Sequence, residues 1–410
     1  MYPQVDPVVS IYAPAGDDLA EHRKRIASYN SRAENPTHWE ETVYSKPDFF
    51  AKMLCDKPGN VVVLAGNNRR KTECVQAAVE AGLNVFADKP MAIDPADFVR
   101  LKQAFALARK QGVLLYDIMT ERSEITTVLQ KEFAGLPAVF GKLTAGTPDQ
   151  PAVTKESVHH FYKFVSGSAL KRPAWAFDVT QQGEGIVDVT THLVDLVQWE
   201  CFPEQALDYH KDIQLLSAKR WPTLVSAAEF NAVTGRADFP AYLKGNVQDG
   251  VLSVYANGEI NYRIKGVHAK VSVRWNYRAP DGAGDTHFSI MRGTRCNLVI
   301  RQGAEQSFKP VLYIEPVAGT DTVAFSKALE AAVATLQAKY PGVALKLLGG
   351  TWQVVVPSKY DVGHEAHFGQ VMDRFLQYLA AGKLPAWEVP NMIAKYYTTT
   401  AALELAKQSR

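Results

Sequence analysis

The sequence predicts two domains: a doubly wound α/β domain over residues 1 to 118, then an α+β domain over 119 to 410 on a largely antiparallel open sheet. Three observations carry this. Apolar strand-like runs alternate with helical spacing as far as Ile118, the pattern of a parallel sheet. Between His210 and about Val317 the apolar period is mostly two. Helical spacing then returns at Thr322 to Tyr340, His364 to Ala381 and Pro390 to Ala406.

Pro7 to Ala13 reads as a strand, and Asp17-Asp18 opens a helix running to about Tyr29. A polar loop from Ser31 to Trp39 precedes a short strand, Glu41 to Tyr44, and Ser45 is an N-cap candidate for a helix ending near Cys55. Val61-Val62-Val63-Leu64 suits a parallel strand buried on both faces. Gly66-Asn67-Asn68 is turn chemistry. Arg69 to Ala81 is a helix with Val75, Ala78 and Val79 as its apolar stripe, and Gly82 stands where the chain must leave it. Leu83 to Ala87 is the next strand. Lys89 falls at its carboxyl end, where open α/β sheets bind ligands, and Pro90 stiffens the backbone there. Asp94-Pro95 reads as N-cap and first residue of a helix to Lys110, followed by the Val113 to Ile118 strand.

In the second domain Ser123 to Phe133 is a helix and Ala138 to Leu143 a strand. A polar, irregular segment follows, then a glycine-opened helix from Gly183 to Glu200. The two-fold period shows most plainly in Gly250 to Ala256, Glu259 to Ile264, Ala269 to Trp275 and Cys296 to Arg301.

With 410 residues, 47% hydrophobic composition and a formal net charge of +2, the chain is an ordered globular protein without a nucleic-acid-binding charge pattern. No apolar run has the length of a membrane span. Cys55, Cys74, Cys201 and Cys296 are widely spaced, and Met1 to Asp6 has no signal-peptide character. Both features point to reduced thiols in a cytoplasmic protein.

The residues that carry chemistry fall in two stretches. Lys89 is one, although a lysine just past a strand is more often a solvated surface residue than a catalyst. The other is Gly183 to Asp195. On a helix, Asp188, His192 and Asp195 share one face within about 60° of arc. Three readings compete: a capping carboxylate with a packed histidine, a metal site of histidine and carboxylates, or a proton-transfer site in which carboxylates tune an imidazole. Lesser candidates are His159-His160 with Lys155 and Tyr162, and Arg172 with Trp175, whose indole could stack on a sugar ring or sit in a core. His364 and His367 are one residue too close for a zinc-protease pair, and no metal is expected.

Taken together, Ala65-Gly66-Asn67-Asn68, Asp88-Lys89-Pro90 and Gly183-Glu184-Gly185 with Asp188, His192 and Asp195 resemble the glucose-fructose oxidoreductase, inositol dehydrogenase and rhizopine catabolism (Gfo/Idh/MocA) family. The aspartate and histidine spacing matches fully, but the family's three glycine places hold Gln182-Gly183-Glu184. The later helices resemble a subgroup of that family through Gly363 to Phe368 and Lys395 to Thr399.

The resemblance implies a Rossmann-like nucleotide domain, NAD or NADP, and oxidation or reduction at a carbinol carbon of a sugar, sugar derivative or cyclic polyol. It makes Lys89, His192 and Asp188 catalytic, with His192 the proton acceptor and Asp188 orienting the sugar or the imidazole. Ala65, Gly66, Asn67, Asn68, Asp88, Lys89 and Pro90 would hold the cofactor. Asp188 would touch the substrate, the open sheet would support a homo-oligomer, and Trp175, Arg172 and His160 stand as substrate-binding candidates by residue type alone, against packed or solvated roles. Two alternatives stand beside it: an NAD-using glycosidase of the same family and a non-catalytic carbohydrate-binding protein. The family's opening strand and glycine-rich loop are not found. The first strand here looks like the family's second, so the expectation is that Met1 is an internal start, that an upstream secretion signal remains open, and that the Val8 and Val61 strands lack a shared neighbour.

Overall fold

The computed structural model describes residues 4–165 and 168–408. Its N-terminal part runs β1 (Val8–Tyr12), α1 (Asp17–Ser31), β2 (Glu40–Tyr44), α2 (Phe49–Asp56), β3 (Val61–Leu64), α3 (Lys71–Glu80), β4 (Asn84–Asp88), α4 (Pro95–Gln111) and β5 (Leu115–Ile118). Strands β3, β4 and β5 pair in parallel, and β1 pairs in parallel with β2 as a separate ribbon. No hydrogen bond joins the ribbon to the three-stranded sheet among the described residues, as expected for strands without a shared neighbour. One expectation fails here. The Val61 run is not buried on both faces: among the described residues β3 has a partner only in β4, and Val63 is 53% exposed. An edge strand leaves part of its surface to solvent whatever its side chains.

A 3-10 turn (Thr120–Ser123) leads into α5 (Ile125–Ala134), β6 (Val153–Tyr162), the ribbon β7 (Phe164–Val165) and β8 (Ser168–Ala169), α6 (Val179–Gln182), α7 (Thr190–Cys201) and α8 (Tyr209–Asp212). Then come β9 (Ile213–Ser226), α9 (Ala227–Thr234), β10 (Val247–Gln248), β11 (Val251–Ile264), β12 (Val267–Arg278), β13 (Thr286–Arg292), β14 (Cys296–Gln302) and β15 (Val311–Pro316). The chain closes with α10 (Thr322–Leu336), β16 (Ala344–Leu348), β17 (Thr351–Val355), α11 (His364–Ala381) and α12 (Glu388–Gln408).

The large sheet has the order β10-β11-β12-β6-β13-β14-β15-β17-β16, with β9 also on β11. Every pairing in it is antiparallel except β6 with β12. Helix α5 packs on β14 and β15 and α7 on β12 and β6, and Leu129, Val194, Val197 and Phe325 of α5, α7 and α10 join Leu298 and Ile314 in one core.

Two further expectations are corrected. Ala138 to Leu143 is not a strand: the amides of Phe140 and Gly141 are spent on the carbonyls of Leu136 and Pro137, which coils the segment, and Leu143 makes only an isolated bridge to Gly293. The segment read as irregular contains β6, a strand inside the sheet.

The last two helices return to the N-terminal part. Val371 and Phe375 of α11 and Met392 and Tyr396 of α12 are buried in one core with Val85, Phe86 and Tyr116. The rings of Phe86 and Phe375 stack 4.6 Å apart. No helix among the described residues is long and apolar enough to cross a membrane.

Candidate active site

At the carboxyl end of β4 the Lys89 ammonium donates to Asp188 Oδ1 at 2.7 Å, across the boundary between the two sheets. The other carboxylate oxygen, Asp188 Oδ2, accepts from Gln182 Nε2 at 2.9 Å. From Gln182 the connection runs back into the nucleotide-side turn: Asn68 Nδ2 donates to the Gln182 carbonyl at 2.7 Å, and Asn68 Oδ1 accepts from Lys71 Nζ at 2.5 Å. Lys71 Nζ also donates to the Asp88 carbonyl at 2.9 Å, one residue before Lys89. Lys89, Asp188, Gln182, Asn68, Lys71 and Asp88 thus form a closed ring. Asn67 and the Asn68 amide add bonds to the Gln181 side chain and carbonyl, at 2.6 and 2.9 Å.

The local backbone explains how Asp188 reaches this place. The segment before α7 is a series of tight turns, and the helix starts only at Thr190, so Asp188 is not on it as the sequence suggested. Gly185 is pressed against β11: its amide donates to the Tyr255 carbonyl at 3.0 Å, and a Cβ there would fall 1.8 Å from the Ala256 oxygen. Only glycine permits that approach. The helix therefore begins late, and His192 lies in its first turn.

Electrostatics separate the roles of the three groups. Burial works against charge on Lys89, but the Asp188 and Asp88 carboxylates outweigh it and hold the lysine above its ordinary value. His192 is pushed well below the usual histidine range by burial first and then by the Lys89 charge, so it is neutral near pH 7. Its Nδ1 is buried and has no hydrogen-bond partner among the described residues. Lys71 is lowered to about 8, chiefly by burial. The imidazole is not held between two carboxylates as the helix spacing implied. Asp188 is spent on Lys89 and Gln182, while Asp195 takes Arg122 bidentately at 2.6 and 2.7 Å and Lys395 at 2.8 Å.

Asp195 belongs to a buried network behind the site. Arg122 also holds Glu388, and Lys395 also holds Asp117, so the 120–123 turn, β5, α7 and α12 are tied together. Despite burial, Arg122 and Lys395 keep the Asp195 carboxyl far below the usual range.

The remaining sequence candidates form a different cluster. His160 is buried and its Nδ1 lies 2.9 Å from Asp285 Oδ1. His159 and His160 are in β6, not on a loop. Arg172 donates to the carbonyls of Phe161 and His160 and lies over the Trp275 ring, its charge within reach of Asp188. Trp175 donates its indole N–H to Asp18 at 2.8 Å, tying the second domain to α1. Among the described residues no group of three or more His, Cys, Asp or Glu is placed to hold a metal ion. Gln182 and Lys71 are the members of the ring that sequence reasoning missed. The one available signal was Gln182 standing where the resembling family has glycine.

Residues 15–117 match the family described as "Oxidoreductase family, NAD-binding Rossmann fold" (GFO_IDH_MocA), and residues 129–407 match "Putative oxidoreductase C terminal domain". The crystal structure of a "putative oxidoreductase" from Parabacteroides merdae ATCC 43184 is 57% identical, with TM-score 0.98, covering 100% of this chain and 94% of that one. The chain belongs to the Gfo/Idh/MocA oxidoreductase family. Two more distant members of the fold are a levoglucosan dehydrogenase in complex with NADH and levoglucosan and a 3-ketoreductase from Actinomadura kijaniata in complex with NADP. The first has 15% identity, TM-score 0.60 and coverage of 98% of this chain and 88% of that one. The second has 13% identity, TM-score 0.57 and coverage of 97% and 88%. No curated protein matches the chain.

As a Gfo/Idh/MocA oxidoreductase the chain uses NAD or NADP. Its residues fit the nicotinamide end of that group. Ala65, Gly66 and Asn67 are exposed at the end of β3, and Gly66 has φ 101° with open space where a side chain would go, so backbone is free to approach a ligand. Lys89 stands beside them. Asn68 differs from the sequence reading: it is buried, and its side chain and amide are engaged within the ring and with Gln181, so it fixes the turn's shape. Asp88 accepts the Lys89 amide, and Pro90 is buried.

Proposed function

We propose that this oxidoreductase transfers a hydride to or from a carbinol carbon of a sugar, sugar derivative or cyclic polyol, with Lys89 and His192 flanking the reacting oxygen. The observation that carries this reading is the pairing of a charged Lys89 on Asp188 with a neutral His192 whose field Lys89 itself shapes. When bound, the nicotinamide accepts or gives the hydride. The protein handles the proton and the oxygen charge. In oxidation the hydroxyl proton passes to the neutral imidazole of His192 as the carbon loses hydride. The Lys89 ammonium stabilises the developing alkoxide, and Asp188 keeps that ammonium charged and aimed. In reduction the same proton returns to the carbonyl oxygen. Ala65, Gly66, Asn67, Asp88 and Lys89 would hold the nicotinamide ribose. The sugar-converting activity named for the levoglucosan dehydrogenase supports a carbohydrate substrate.

The test is calorimetric titration with NADH and NADPH, followed by a sugar and polyol screen read at the nicotinamide absorbance. Lys89→Ala and His192→Ala should each lower turnover about 100-fold or more while leaving cofactor binding measurable. Substrate turnover unaffected by both substitutions would overturn the assignment.

A further inference from the structure

Beside the 120–123 turn the first turn of α11 presents a polar and aromatic set that the reaction does not use. The 120–123 turn packs between α7 and α11. Its neighbouring residues face different ways: Arg122 holds Asp195 of α7, while Glu121 Oε1 lies 3.7 Å from His364 Nδ1 of α11. At that distance the Glu121 carboxylate makes no hydrogen bond to the imidazole, and among the described residues its other side-chain contact is a 3.5 Å bond from Thr120 Oγ1. It keeps acceptor capacity for a ligand.

His367, one turn further along α11, is 8% exposed, and its buried Nδ1 has no partner among the described residues. An unpaired buried polar atom is destabilising, and a ligand or an ordered water at that atom would offset the cost. Gly363 caps the helix without a side-chain hydrogen bond, so this end is open as well. Beside these groups the Phe368 ring is 43% exposed, with the His364 ring edge-on at 5.3 Å. The set adjoins the reacting groups through the 120–123 turn, which packs both on α7, whose first turn carries His192, and on α11.

A carboxylate with spare acceptor capacity, two imidazoles and an exposed phenyl ring are the groups that hold a hydroxylated ring, hydroxyls on the polar atoms and the C–H face on the phenyl. We propose that Glu121, His364, His367 and Phe368 form a second sugar-ring subsite, and that the substrate is a glycoside or oligosaccharide rather than a free monosaccharide. This rests on the carbohydrate reading above. The ring that is oxidised sits at Lys89 and His192, and the attached ring extends over the start of α11.

The experiment is calorimetry on the NADH-saturated protein with paired probes, glucose against cellobiose and maltose and galactose against lactose, alongside turnover of the same sugars. Wild type should bind at least one disaccharide about tenfold or more tighter than its monosaccharide. Phe368→Ala and Glu121→Gln should bring that ratio close to one. Equal affinity for both members of every pair, or a ratio that neither substitution changes, overturns the subsite. Disaccharide preference without turnover leaves the subsite standing and removes the oxidoreductase assignment for these sugars. Binding of no probe overturns both.

Discussion

Replacing Lys71 by methionine tests the ring most directly. Lys71 is 4% exposed and is held at about 8, against 10.5 for a free lysine, so keeping it charged at neutral pH costs the folded protein about 3 kcal/mol. The folded state gives up this proton earlier than the unfolded chain does. Between about pH 8 and 10.5 the unfolded state therefore binds more protons, and stability rises with pH through that window. From pH 7 to pH 9.5 the contribution amounts to about 2 kcal/mol. Lys71→Met removes it, and also removes the bonds to Asn68 Oδ1 and the Asp88 carbonyl. Those losses oppose the relief from burial, so the net stability change at pH 7 stays within about 2 kcal/mol. Turnover should fall about tenfold or more, because the strand end that aims Lys89 loses its tie to the Asn68 turn. Urea denaturation of both proteins at pH 7 and pH 9.5 isolates the effect, since other titrating groups cancel in the difference of differences. Parallel pH dependence of the two proteins would refute the reasoning about Lys71, and wild-type turnover in the variant would refute its link to Lys89.

Other perturbations follow from the same geometry. His192 is held well below the ordinary histidine range by burial and by Lys89, so the oxidation rate should show no acid limb near pH 6.5. A limb there in the pH profile of kcat/KM that disappears in His192→Asn would contradict this. Asp195→Asn leaves Arg122 and Lys395 short of a buried counter-charge and should cost about 3 to 5 kcal/mol, seen as a lowered urea midpoint.

Much of the architecture can be read in the chain. The α/β alternation, the period-two region and the closing helices are all where their patterns place them, because their apolar faces are regular. The failures have local causes. β6 hides because Thr154, Lys155, Glu156, His159 and His160 break its apolar alternation. Lys155 is nevertheless fully buried, holding Glu200 of α7 at 2.9 Å with both carboxylate oxygens and Ser289 at 2.8 Å. A strand whose inward side chain is a paired charge carries no hydrophobic signal. The Val61 run misleads in the opposite sense, since an apolar run reports what could be buried and not which neighbours are present. In the candidate site, spacing and resemblance singled out Lys89, Asp188 and His192, and the fold pairs Lys89 with Asp188. Gln182 and Lys71 were not, because each acts through partners that only folding brings together; the Asn68 to Gln182 bond joins residues 114 apart in sequence.

The return of α11 and α12 to the first sheet has a consequence for biosynthesis. Phe375, Met392 and Tyr396 fill a core whose strands leave the ribosome nearly three hundred residues earlier, so the N-terminal sheet emerges with an unfilled apolar face. That face stays uncovered until the last helices are made, and exposed apolar surface of this kind is what makes folding intermediates prone to aggregate. A fragment ending near Ile118 would expose the same surface, so the unit that binds the nucleotide is not one that can be excised and expected to fold by itself.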